Sequence, residues 1–67
     1  MDFCAKTEIS KAKERGDNTF RNKKGDVFYI TYYKRIKNFD LSVFTDDGDI
    51  DFNAISEHEL YQHLTKN

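Results

Sequence analysis

The chain has 67 residues, of which 37% are hydrophobic and 34% charged, and its net charge at pH 7 is -1. Six phenylalanines and four tyrosines argue against disorder of the whole chain. The length predicts one small domain, residues 1–67. No secretory signal and no apolar run of about 20 residues is present, which predicts a protein without a membrane span. The single cysteine, Cys4, excludes an intrachain disulfide and predicts a reducing compartment, the cytoplasm.

Residues 3–10 alternate loosely between apolar and polar side chains, which favours a first strand. The stretch 4–15 also has good helix propensity, and Gly16 suits the position just after the end of a helix. The sequence leaves both structures open, and the strand is the preferred prediction.

Residues 15–26 are predicted to form a loop, because two glycines, two asparagines and two aspartates are concentrated there. Phe20 is the lone apolar anchor of this segment. Its basic residues are therefore expected at the surface.

Residues 26–36 are the strongest strand prediction, because they are rich in β-branched and aromatic side chains. Phe28, Ile30 and Tyr32 would share one face, and alternate residues from Val27 the other. Both faces are apolar, which predicts a central strand or one wrapped into a barrel.

Residues 39–46 and 49–53 are predicted to form a hairpin around Asp47-Gly48, since such a pair between alternating runs is typical of a type I′ turn. This register sets Asp46 opposite Asp49, where like charges destabilise the pair. The predicted core face carries Val43, Thr45, Ile50 and Phe52. The outer face carries Ser42, Phe44, Asp46, Asp49, Asp51 and Asn53.

Residues 55–64 are predicted to begin a short C-terminal helix, or to form a single 3-10 turn before a last strand. Ser56 suits the N-cap position, and Glu59 completes a capping box. Ile55 and Leu60 occupy the two positions of a hydrophobic staple.

Phe20, then Lys24-Gly25-Asp26, then Phe28 and Ile30, resembles the entry to the second strand of SH3-like barrels. The Asp-Gly hairpin and the Glu-His-Glu-Leu turn are similar to the closing half of such barrels. The resemblance covers residues 20–64 and implies a mainly β fold, a small SH3-like barrel of about five short strands with a short C-terminal helix or 3-10 turn. Such small barrels are common among bacterial, phage and prophage proteins. The alternative is an α+β fold with an N-terminal helix packed on a three-stranded antiparallel meander.

The four aspartates near the predicted turn are Asp46, Asp47, Asp49 and Asp51. An EF-hand loop requires glycine at position 6 and glutamate at position 12, where a loop starting at Asp47 has Phe52 and His58. No metal or cofactor is therefore predicted. The cluster is either a solvated hairpin tip that discourages edge pairing or, with Phe44, a docking surface for a basic partner.

A second set of residues combines cations with aromatic rings, as small nucleic-acid-binding barrels do. The set comprises Arg21, Lys23, Lys24, Lys34, Arg35, Lys37, Tyr29 and Tyr33. A net charge near zero lacks the basic footprint of most such domains, and solvated loops with packed rings explain the same residues.

No glycine-rich phosphate loop, nucleophilic serine motif or local Cys-His pair is present, which predicts a protein that is not an enzyme. The sequence predicts a protein–protein interaction module, such as a small phage or prophage regulator or inhibitor, that binds a basic partner through the acidic hairpin. The alternative is a nucleic-acid-binding β-barrel. No membrane contact is predicted, and the chain is expected as a monomer or a homodimer.

Overall fold

The computed structural model describes residues 3–66, which form two helices and four strands. In chain order the elements are α1 (Ala5–Arg15), β1 (Asp17–Arg21), β2 (Val27–Tyr33), β3 (Asn38–Thr45), β4 (Gly48–Ile55) and α2 (Glu57–Thr65). The strands form one antiparallel sheet in the order β1-β2-β3-β4. Both helices pack on one face of this sheet, and no element of residues 3–66 covers the other face.

The fold class is α+β, which agrees with the predicted alternative of an N-terminal helix on an antiparallel meander. The meander has four strands rather than three, because residues 17–21 add an edge strand. The mainly β, SH3-like barrel is not shown. Strands β1 and β4 lie at opposite edges of the sheet and do not pair with each other.

The preferred prediction of a strand at residues 3–10 is wrong, since α1 begins at Ala5. The buried residues of α1 are Ala5, Ile9 and Ala12, whose spacing of three to four residues is that of one helix face. Gly16, with φ 96°, ends the helix, and its N–H donates a 2.7 Å hydrogen bond to the carbonyl of Ala12. The helical alternative is therefore correct.

The prediction of a loop throughout residues 15–26 is also wrong, because β1 occupies Asp17–Arg21. Asn18, one of the residues that favoured a turn, is buried against α1. Its side-chain amide donates to the backbone carbonyl of Glu8 at 3.0 Å and to Glu8 Oε1 at 2.8 Å. A side chain read as a turn signal instead connects strand to helix.

The hydrophobic core lies between the helices and the inner face of β2 and β3. Its buried residues are Ala5, Ile9, Ala12, Phe28, Ile30, Phe39, Leu41, Val43, Ile55, Leu60 and Leu64. The predicted central position of β2 is confirmed, because this strand pairs with β1 on one side and β3 on the other.

The C-terminal helix is confirmed as α2, and its start follows the predicted N-cap. Ser56 Oγ accepts a 3.1 Å hydrogen bond from the N–H of Glu59. Ile55 and Leu60 are both buried, as the hydrophobic staple requires.

Candidate interaction surface

The uncovered face of the sheet, here called the open face, is built from alternate residues of the four strands. The strand register arranges its side chains in rows that cross the sheet. One row is Arg21, Val27, Phe44 and Asp49, and the next is Thr19, Tyr29, Ser42 and Asp51. Apolar and aromatic groups therefore lie near the middle, and carboxylates lie along the β4 edge.

Three aromatic side chains of the open face are accessible to solvent. Tyr29 is 38% exposed, and Tyr33 and Phe44 are each 42% exposed. Phe44 lies directly across from Val27 and diagonal to Tyr29, so their side chains are neighbours on this face. Neighbouring exposed rings on a rigid sheet are a feature of protein interaction sites.

The hairpin turn lies one residue earlier than predicted. Thr45 pairs with Gly48, so Asp46 and Asp47 are the two turn residues. Neither aspartate has positive φ, and the positive φ of 132° belongs to Gly48, so the type I′ turn is wrong. Thr45 Oγ1 accepts from the N–H of Asp47 at 3.1 Å and donates to the carbonyl of Gly48 at 2.9 Å, which holds the turn.

The observed register changes which side chains meet across β3 and β4. Asp49 lies opposite Phe44 rather than Asp46, so the predicted repulsion between two facing aspartates is absent. The pairing register differs from the predicted one by two residues, which preserves the faces: Phe44, Asp49 and Asp51 share the outer side as predicted. Ile50 is on the predicted core face, but it is 50% exposed.

None of the four hairpin aspartates has an ion-pair partner within residues 3–66. The ion pairs in that range join Lys11 to Glu8, Lys13 to Glu57 and His63 to Glu59. Asp46, Asp47, Asp49 and Asp51 are all exposed. The β4 edge of the open face is therefore negatively charged and uncompensated within the described chain.

The basic residues predicted for nucleic-acid binding are not brought together. Lys23 and Lys24 lie in the β1–β2 loop, whereas Lys34, Arg35 and Lys37 lie in the β2–β3 turn. The seven residues of β2 separate these two groups by about 20 Å. On the open face, Arg21 lies at the end nearest Lys23 and Lys24, Tyr33 at the end nearest Lys34, and Tyr29 between them.

Asp40 is a residue of the open face that the sequence analysis missed. Its Oδ2 accepts a 2.7 Å hydrogen bond from the Tyr33 hydroxyl, and its Oδ1 accepts a 2.9 Å bond from the N–H of Ala54. The hydrogen bond to Asp40, followed by partial desolvation, raises the pKa of Tyr33 above its usual value. The one available signal was a carboxylate in the middle of a strand, where aspartate is disfavoured.

Two further reactive side chains, Cys4 and His63, lie outside the open face. Cys4 is exposed at the start of α1, where the nearby hydroxyl and backbone N–H of Thr7 lower the pKa of its thiol. His63 stacks on Phe52 with ring centroids 4.0 Å apart, and it lies 3.9 Å from a Glu59 carboxylate oxygen. Within residues 3–66, no three His, Cys, Asp or Glu side chains converge on a metal-sized site.

Comparison of the chain with protein-family models, curated proteins and solved structures found no match. Neither helix of the described residues is long and apolar enough to cross a membrane. Functional inference therefore depends on the surface chemistry of this chain.

Proposed function

We propose that this chain is a non-catalytic protein–protein interaction module whose open face binds a partner with a basic surface. One observation supports this proposal above the others. The exposed ring of Phe44 lies directly beside Asp49, in a row that ends at the uncompensated acidic edge. The proposed binding residues are those predicted from the sequence, namely Phe44, Asp46, Asp47, Asp49 and Asp51.

This arrangement resembles the usual anatomy of a protein interface, in which an apolar centre is surrounded by polar groups. Phe44 and its neighbour Tyr29 supply rigid apolar area. The aspartates supply charge that accelerates encounter with a cationic surface and disfavours acidic partners. A phage or prophage regulator that binds a nucleic-acid-binding host protein would fit this chemistry, because carboxylates on a sheet edge mimic phosphates.

Nucleic acid is the less favoured ligand on electrostatic grounds. A nucleic acid that stacked its bases on Tyr29 or Tyr33 would bring its phosphates close to Asp40, Asp49 and Asp51 on the same face. The cations that would neutralise it lie at opposite ends of β2. Nucleic-acid binding is thus an outcome that the experiment must distinguish.

The test is affinity capture from the native host, followed by mass spectrometry, with four single variants beside the wild type. Asp49→Lys and Phe44→Ser alter the proposed site. Glu14→Lys makes the same charge change on exposed α1 surface, and Ile36→Ser removes another exposed apolar side chain from the opposite end of the sheet. Circular dichroism and thermal unfolding would establish that all four variants remain folded.

We expect one protein partner to be retained by the wild type and both controls and to fall about tenfold or more with Asp49→Lys and Phe44→Ser. Equal recovery by all five proteins would contradict the proposal. Binding of single-stranded DNA or RNA that weakens steeply between about 50 and 200 mM salt would instead support the nucleic-acid alternative.

A further inference from the structure

Strand β4 is an edge of the sheet, and among residues 3–66 no strand pairs with its outer side. In an antiparallel pair, alternate residues exchange backbone hydrogen bonds with the neighbouring strand. Counting from the pair that closes the hairpin, Thr45 with Gly48, the residues bonded to β3 are Gly48, Ile50 and Phe52. The backbone N–H and C=O groups of Asp49 and Asp51 therefore point to the open edge.

We infer that β4 binds its partner by strand addition, pairing with an extended segment that carries basic, apolar and basic residues in succession. This inference rests on the proposed function and specifies the partner for the same acidic edge. The backbone groups of Asp49 and Asp51 supply the pairing, and the side chains select the sequence that pairs.

The side-chain directions of β4 determine the order of residue types in the partner. Asp49 and Asp51 project onto the open face, so the two partner residues opposite them place their side chains on that face too. Lysine or arginine there forms a cross-strand ion pair. The residue between them projects to the other side, beside the half-exposed Ile50, where an apolar side chain excludes water.

A second copy of this chain is a poor occupant of the same edge. Two antiparallel β4 strands centred on Ile50 set Asp49 of each copy opposite Asp51 of the other. Centring the pair on Asp49 or on Asp51 sets that aspartate opposite itself. Like charges directly opposite each other destabilise such pairs, so the edge favours a basic segment over self-association.

The length available for pairing is short. The register of β3 and β4 shifts between Phe39 and Leu41, and Ala54 has a φ of 54° with its N–H bonded to Asp40 rather than to a strand. This bulge ends the regular part of the edge. An added strand would therefore run alongside residues 48–53.

The experiment uses the full chain, labelled with ¹⁵N, and a blocked peptide of sequence Thr-Val-Lys-Val-Lys-Val-Thr. Titration followed by NMR should shift the amide signals of Asp49 and Asp51 and slow their hydrogen exchange, because both groups become hydrogen-bonded. A peptide with glutamate in place of lysine should bind at least about tenfold more weakly, since it opposes charges of the same sign.

Backbone methylation separates strand addition from simple charge attraction. Methylating the amide nitrogens of both lysines removes the donors that face β4 but keeps both positive charges. Methylating the central valine instead alters a group that points away from β4. We expect the first peptide to lose at least about tenfold in affinity and the second to bind within about threefold of the parent.

Protein variants test the side-chain contribution. Asp49→Asn with Asp51→Asn should weaken binding by about 3–10-fold. Glu14→Gln with Asp17→Asn removes the same number of negative charges at exposed positions away from β4 and should weaken it less than about twofold.

Equal binding of the lysine-methylated and parent peptides would overturn strand addition while leaving charge-driven docking, and hence the proposed function, intact. Strand addition is also overturned, and the proposed function kept, if the parent peptide does not bind but a host partner captured by the wild type is lost with Asp49→Lys. Failure of both peptide binding and host capture would overturn both proposals.

Discussion

The hydroxyl of Tyr33 donates a 2.7 Å hydrogen bond to Oδ2 of Asp40, which lies on the neighbouring strand. The second oxygen of the same carboxylate, Oδ1, accepts the N–H of Ala54 on β4 at 2.9 Å. One side chain thus connects β2, β3 and β4 where the register of β3 and β4 shifts. This contact leads to the first two predictions.

The Tyr33–Asp40 hydrogen bond should make stability depend on alkaline pH. This bond raises the pKa of Tyr33 in the folded chain above the unfolded value. The stabilisation is therefore complete below pH about 10 and is lost as the pH rises through the folded pKa. Measured by urea denaturation, the advantage of the wild type over Tyr33→Phe should shrink above that pH.

Tyr61→Phe is the control, because it removes an exposed tyrosine hydroxyl from α2, on the other side of the sheet from Asp40. The free energy of unfolding of this control should change with pH in parallel with that of the wild type. The hydrogen bond to Glu57 also raises the pKa of Lys13, so the variants are compared with the wild type at each pH. A difference in the free energy of unfolding between wild type and Tyr33→Phe that stays constant as the pH rises would contradict the prediction.

Ala54→Gly should stabilise the protein by up to about 1 kcal/mol. Ala54 has a φ of 54°, a left-handed conformation that is unfavourable for residues with a Cβ. Glycine removes this strain, although it increases the entropy of the unfolded chain. Asn53→Gly, at a residue without positive φ, should instead destabilise the protein, and equal effects of the two variants would exclude strain relief as the cause.

Asn18→Asp should destabilise the protein by about 2–3 kcal/mol at pH 7. The buried amide of Asn18 donates to both a backbone and a side-chain oxygen of Glu8, and an aspartate would face those acceptors with a second negative group. Burial beside Glu8 raises the pKa of the introduced carboxyl in the folded chain, so the loss should decrease as the pH falls through that raised pKa and be smallest below pH about 4.

Asn22→Asp is the control for this substitution. The side chain of Asn22 accepts hydrogen bonds through Oδ1 from the N–H groups of Lys24 and Asp26, and a carboxylate can accept both. We expect its free energy of unfolding to stay within about 0.5 kcal/mol of the wild type. Similar losses for both substitutions would exclude a special donor role for Asn18.

Ser56→Ala should cost about 1 kcal/mol, because Ser56 Oγ accepts the N–H of Glu59 at the start of α2. Ser56→Asp keeps an acceptor at this position and should retain most of the stability. Ser10→Ala, on exposed α1 surface, controls for removal of a hydroxyl and should be neutral or slightly stabilising. A neutral Ser56→Ala would show that the cap contributes nothing measurable.

Several features were predictable because their signals are complete within a few residues. The cap of α2 requires only Ser56 and Glu59, and β2 is dense in β-branched and aromatic side chains. The predicted faces of the hairpin are correct despite the wrong turn, because a register change of two residues preserves the alternation. Phe44, Asp49 and Asp51 were placed on a common outer face for this reason.

Other features depend on contacts between distant segments. Residues 5–15 are compatible with two periodicities, and burial of Ile9 and Ala12 against the sheet selects the helix. Asn18 belongs to a strand because its amide meets Glu8 across the α1–β1 junction. The local sequence around each of these residues does not indicate which distant residue it contacts.

By itself the sequence determined the central strand, the capped C-terminal helix and the outward face of the acidic hairpin, since local propensity and alternation decide them. Only the tertiary structure decided that the first segment is a helix, that both helices share one face and that β4 is left as an edge. These outcomes depend on which apolar surfaces are buried against each other. The free energy of that burial is set by pairs of packed elements, not by one segment alone. The proposed site exists because this packing covers only one side of the sheet.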